Sequence, residues 1–160
     1  MRTPASVADH PVHPMLVVFP IGLFLTAFVF DILAAATGNP VWQTIAFYDI
    51  AAGVIGALLA ALPGFVDYFT LRGEPRRLGT WHMVLNLGVV VLFAVNWYLR
   101  TNAGQRLVGP GSRVPLLLSL IGAVVLGVSG WLGGHLVYRH RVGVAEDAAR
   151  FDEKRPRRVA

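Results

Sequence analysis

Four stretches of the chain, residues 14–36, 41–71, 80–99 and 115–138, are almost continuously apolar; their only charged side chains are Asp31, Asp49 and Asp67. About 20 apolar residues rising about 1.5 Å each cross the hydrocarbon core of a bilayer, so each stretch is long enough to span one. The runs are rich in Leu, Ala and Gly and show no period-2 alternation, which selects helices over barrel strands. The pattern predicts an all-α protein, an integral membrane four-helix antiparallel bundle over residues 14–138. A short N-terminal segment, 1–13, precedes it and a basic tail, 139–160, follows. Pro63-Gly64 inside the long second stretch predicts a bend. Asn39-Pro40 predicts a tight first hairpin, and residues 104–111 a longer, looser loop. No clear internal repeat is visible.

The few polar residues inside these stretches fall on helical stripes. His13, Val17, Pro20, Phe24, Ala27 and Asp31 share one face of the first helix. Asp49, Gly53, Gly56, Ala60, Pro63 and Asp67 share a face of the second, and His82, Asn86, Val89, Phe93, Asn96 and Arg100 a face of the third. Eighteen residues rise about 27 Å, so the two ends of each stripe belong to opposite membrane faces. Antiparallel order then gathers Asp31, Asp49, Asn96 and Arg100 at one face. It gathers His13, Asp67, His82, His135 and His140 at the other.

Composition sharpens this reading. Apolar residues make up 55% of the 160 and charged residues only 14%, too few to keep so small a domain in water. There is no Cys, which excludes disulfides, Cys-based zinc ribbons, iron–sulfur ligation and thiol nucleophiles. Of the 14 Lys and Arg, 11 fall on one side: Arg2 at the N-terminus, Arg72, Arg76 and Arg77 in the loop between the second and third helices, and seven in the tail. The loop between the third and fourth helices carries only Arg100, Arg106 and Arg113. The positive-inside rule therefore places both termini in the cytoplasm. The net charge of +5 is then a topology signal with affinity for anionic headgroups. Aromatics do not interleave with the basic residues, so no nucleic-acid surface is expected. The first apolar run is too long for a cleaved leader and contains Asp31, so it is expected to be retained.

Two chemistries compete. Histidine is a common metal and haem ligand, and the histidine-bearing face offers His82 and His135 as a first pair of axial ligands, with His13 and Asp67 next. The same residues, His13, Asp67, His82 and His135, are the candidate set for a divalent transition metal; a third expectation is that no cofactor is bound. His135 and His140 lie about 140° apart on a regular helix and are not expected to share an ion. At the other face, Arg100 is the natural counter-ion of Asp31 or Asp49, with Asn96 adding a hydrogen bond. The competing reading makes these four an ion or proton relay in a small transporter. Small residues, Gly53, Gly56, Ala57, Ala60 and Gly64 on the second helix and Ser119, Ala123, Gly127, Gly130 and Gly134 on the fourth, predict close helix packing.

The segments HPVHP (His10–Pro14), VVFPIGLF (Val17–Phe24), PGFVDY (Pro63–Tyr68), WHMVLN (Trp81–Asn86) and GWLGGHLVYRHRVGV (Gly130–Val144) resemble a bacterial family of four-helix membrane proteins catalogued as domain of unknown function 2231. The resemblance runs from His10 to Val144. Relatives often read His-Gly where this chain has His140-Arg141. Some are joined to Rieske-type iron–sulfur domains, which implies membrane electron transfer with a redox partner protein. With no Cys here, any such iron–sulfur partner would be a separate chain. The sequence leaves three readings open: a redox subunit binding haem b or a metal, a small transporter, and a structural subunit. The lipid bilayer is its surrounding, and a homo-oligomer is compatible with all three.

Overall fold

The computed structural model describes residues 3–109 and 111–144; the basic tail beyond residue 144 lies outside them. A two-residue hairpin comes first, β1 (Ser6–Val7) paired antiparallel with β2 (His10–Pro11). Ala8 and Asp9 turn it with positive φ at both central positions, as a tight hairpin turn requires. Four long helices follow, α1 (Val12–Thr37), α2 (Pro40–Thr70), α3 (Gly73–Leu99) and α5 (Val114–Tyr138), with a short α4 (Asn102–Val108) between the last two. The long helices are each long and apolar enough to cross a membrane. Large apolar side chains such as Phe19, Leu59, Leu62, Val91 and Trp131 cover the outside, where lipid rather than water is the solvent.

Local chemistry sets the helix ends. Gly38, left-handed at φ 68°, closes α1 through its amide to the Ala34 carbonyl. Asn39 then caps α2 by accepting from the Val41 amide, with Pro40 in the first helical position. Both proline-bearing helices continue through Pro20 and Pro63. Helix α3 begins seven residues earlier than the hydropathy indicates, because Glu74 to Arg77 are polar but still helix-compatible, and Glu74 sits favourably in the first turn. The loop expected over 104–111 contains α4, capped by the Thr101 hydroxyl on the Gly104 amide.

Packing is closest between α1 and α2 and between α3 and α5; the α2–α3 and α1–α5 seams are looser. Helices α1 and α3 face each other diagonally, and their side chains meet along the bundle axis in three tiers. His13 meets His82 with ring centroids 6.2 Å apart, Phe24 stacks on Phe93, and Asp31 pairs with Arg100. The order of these tiers makes α1 and α3 run parallel.

Each pair is separated by the same 69 residues in sequence. The surroundings repeat as well. His13 Nδ1 bonds to the Ala60 carbonyl and His82 Nδ1 to the Ser129 carbonyl, each 47 residues further on. A Cβ on Gly64 would lie 2.8 Å from the His13 ring, and one on Gly133 would lie 2.9 Å from the His82 ring. Gly53 and Gly122 stand in the same relation to Phe24 and Phe93. The chain is therefore an internal repeat: α1–α2 and α3–α5 are equivalent hairpins about a pseudo-two-fold axis along the bundle. This corrects the expectation of no repeat.

The stripes predicted on α1 and α3 are the buried ones, with Phe24, Ala27, Asp31, Val89, Phe93 and Asn96 all inside. Helix α5 is rotated from its predicted seam. It packs through Ser119, Gly122, Leu126, Ser129 and Leu136, while Gly127 and Gly130 have open space where a Cβ would point. The helix turns the face that meets Phe93 and His82 inward, and the small-residue row lies beside it.

Candidate functional site

At the face where α1 and α3 begin, two imidazoles share the axis. His13 is the second residue of α1, just after the extended Pro11, and His82 lies on the third turn of α3. Their planes are close to perpendicular, at 87°. Each Nδ1 reaches a backbone carbonyl of its hairpin partner, Ala60 at 2.8 Å and Ser129 at 2.9 Å. A carbonyl only accepts, so each Nδ1 carries a proton, and in the neutral ring Nε2 is the nitrogen with the lone pair. Absence of a Cβ at Gly64 and Gly133 lets the rings lie against α2 and α5. Gly64 lies beside the Nδ1–Cε1 edge of His13, and Gly133 beside the Nδ1–Cε1–Nε2 edge of His82. Asn86 donates to His82 Nε2 at 3.0 Å, which gives that lone pair a partner.

Above the imidazoles is a cavity of about 470 Å³, lined by His13, His82 and Asn86 and otherwise mostly by apolar side chains including Val17, Ile21, Val90 and Leu126. Phe24, stacked on Phe93, closes it on the side of the Asp31–Arg100 tier. Thr3, Pro11, Val142 and Gly143 border it at the other end. The β1–β2 segment is fastened there by the Ala5 amide on Asp67 Oδ1 at 2.9 Å and the Val12 amide on the Ala5 carbonyl. Pro11 also lies against Gly143.

The remaining predicted ligands are placed differently. Asp67 spends an oxygen on the N-terminal segment. His135 is near His82 in depth but points elsewhere on α5, where it packs on Trp131 and on His140. The inward positions of α5 are Ser129, Gly133 and Leu136, and His135 is about 100° away from the last of these. His135 and His140 approach to 6.0 Å between ring centroids because the helix ends at Tyr138 and the chain folds back, with Arg141 at φ 54°. The regular-helix angle that kept them apart does not apply beyond the helix end. Arg139 is 3.5 Å from His135 Nε2, an unfavourable neighbour for a bound cation. Among the described residues no three of His, Cys, Asp or Glu converge as metal ligands, so the proposed four-residue metal set is not assembled.

The opposite tier is a closed network. Arg100 is bidentate on Asp31, Nη1 to Oδ1 at 2.8 Å and Nη2 to Oδ2 at 2.7 Å. The Ser119 hydroxyl donates to Asp31 Oδ2, and Asn96 joins Arg100 Nε to Ser119 and to the Pro115 carbonyl. Ser119 was read from sequence only as a small packing residue. In the repeat, Asn96 and Ser119 correspond to Ala27 and Ile50, so the second hairpin supplies all the auxiliary polar groups. Asp49 is not part of this network; its carboxylate meets the Thr26 hydroxyl at 2.9 Å.

The chain belongs to the family described as "Predicted membrane protein (DUF2231)", whose model matches residues 9–146. No curated protein and no solved structure matches it.

Proposed function

We propose that this member of the family is a membrane redox subunit in which His13 and His82 hold a haem b on the axis of the bundle. The observation that carries the reading is the imidazole pair itself: both Nδ1 protons are anchored on backbone carbonyls, and the ring centroids are 6.2 Å apart. Two neutral imidazoles brought together on one axis are the donor set that would hold a haem iron. The cavity volume falls in the usual range for cofactor sites, and its apolar walls suit a macrocycle. A haem held there would supply one-electron transfer.

The chain's own contribution is to fix both tautomers, clear space with Gly64 and Gly133, and keep water away from the rings. Asn86 must yield its bond to His82 Nε2 when the ligand binds. A transition metal in place of haem is the weaker reading, since among the described residues no third His, Asp or Glu joins the pair. The relay reading has little support, because Asp31 and Arg100 satisfy one another and Asp49 stands apart. Orientation with both termini in the cytoplasm, and a separate redox partner there, complete the proposal; it rests on the distribution of Lys and Arg.

The test is titration of detergent-solubilised protein with haemin. A low-spin bis-histidine Soret band should form in wild type and His135→Ala and be lost in both His13→Ala and His82→Ala. Absence of binding in wild type, or binding indifferent to both substitutions, overturns the reading.

A further inference from the structure

We infer that the central cavity is filled from the bilayer, by a lipid-soluble ligand passing between α1 and α5. Both aqueous routes are obstructed. Phe24 and Phe93 stack across one end, backed by the Asp31–Arg100 tier, and the anchored β1–β2 segment with the turn at Val142 and Gly143 borders the other.

Comparison of the two equivalent seams shows where the wall is thin. On α2 the row facing α3 includes Phe47, Ala61, Phe65 and Tyr68; Phe47 stacks on Trp97, and the Tyr68 hydroxyl bonds to Thr80. Both aromatics bridge the α2–α3 seam. At the equivalent positions on α5, facing α1, stand Leu116, Gly130, Gly134 and Val137. Among the described residues the hydrogen bond from α5 to α1 is that of Ser119 to Asp31, at the far tier, and none joins the two helices at Gly130, Gly134 or Val137. Gly130 and Gly134 line the cavity, as do Val17 and Ile21 on the α1 side. A Cβ on Gly130 would meet nothing within 4 Å, and one on Gly134 only Tyr138 of its own helix. The cavity thus reaches the lipid-facing surface at a place where the repeat has lost its side chains. A flat or chain-like apolar molecule fits such an opening, whereas a hydrated ion would meet no polar group on the way in.

The identity of the ligand rests on the haem reading, but the route does not, so the experiment uses a different probe. The intact protein is reconstituted in phosphatidylcholine vesicles containing a lipid with a diazirine at the end of one acyl chain, then photolysed and mapped by mass spectrometry. Wild type is expected to be labelled at cavity residues Val17 and Ile21. In Gly130→Ala/Gly134→Phe, which restores the side chains of α2, that labelling should fall at least tenfold. Labelling of the outward-facing Leu59 should stay unchanged, which controls for folding and insertion. Interior labelling absent from wild type, or equal in the two proteins, overturns the route. Haemin delivered from the vesicles should also bind at least tenfold more slowly to the double variant with the same final occupancy. Equal rates would overturn the route for haem; no binding by wild type would overturn the haem reading and leave the photolabelling result standing.

Discussion

Phe24 and Phe93 stack with ring centroids 4.0 Å apart and planes within 4° of parallel, each ring resting on a glycine of its own hairpin, Gly53 and Gly122. An ideal Cβ on either glycine would lie 2.6 Å from a ring carbon, and the rings cannot retreat because they press on each other. Gly53→Ala and Gly122→Ala should each destabilise the protein by about 1–3 kcal/mol through overpacking. Gly22→Ala and Gly88→Ala, where no atom lies within 4 Å, should be neutral or slightly stabilising. Equilibrium unfolding in mixed micelles separates the two outcomes.

The Asp31–Arg100 tier is buried, and its parts depend on one another. Removing one partner leaves an unpaired charge, so Asp31→Asn or Arg100→Gln should cost about 3–5 kcal/mol. Ser119→Ala should cost less, about 1–3 kcal/mol, for the lost hydrogen bond to Asp31. Exchanging the charges, Asp31→Arg with Arg100→Asp, should recover only part of the loss. The new guanidinium would lie on the hairpin that has Ala27 and Ile50 instead of Asn96 and Ser119. A double-mutant cycle measures the coupling.

Asn86 competes with any ligand of His82 Nε2. Asn86→Leu should therefore tighten haem binding by up to about tenfold, corresponding to about 1.4 kcal/mol for the hydrogen bond no longer broken. Haemin titration of the variant beside wild type reads this directly. Unchanged or weaker binding would mean that the amide supports the site instead of opposing it.

Asp67 acts as the fastening for the N-terminal segment rather than as a ligand. Asp67→Ala should release the Ala5 amide and raise hydrogen exchange across residues 5–12, leaving exchange in the four long helices unchanged. Hydrogen exchange followed by mass spectrometry resolves the two regions.

Much of this architecture was legible in the sequence, and the parts that were not have identifiable causes. The buried stripes of α1 and α3 could be read because each carries a histidine, a phenylalanine and a charged residue at helical spacing on an otherwise uniform apolar background. The repeat is faint in the sequence because its halves share few identities, among them His13/His82, Leu16/Leu85, Leu23/Leu92, Phe24/Phe93, Gly53/Gly122 and Gly64/Gly133. The conspicuous polar ends, Asp31 and Arg100, differ in sign. The signal available was the common offset of the paired glycines and rings. His135 was matched to His82 by depth along the helix; the rotation of α5 about its own axis decides the matter, and apolar composition on all sides conceals that rotation. Asp49 failed for the same reason, being one residue away from the inward Ile50.

The repeat also bears on how opposite charges came to face each other on the axis. In a symmetric pair of identical hairpins, whatever occupies position 31 confronts its own copy, so an acid would meet an acid and a base a base. Two histidines or two phenylalanines tolerate that arrangement; an ion pair does not. Because both hairpins belong to one continuous chain, each can carry its own residue at that position, aspartate on one and arginine on the other. The imidazole and phenyl tiers are self-matching, and the carboxylate–guanidinium tier uses the asymmetry that a single chain allows.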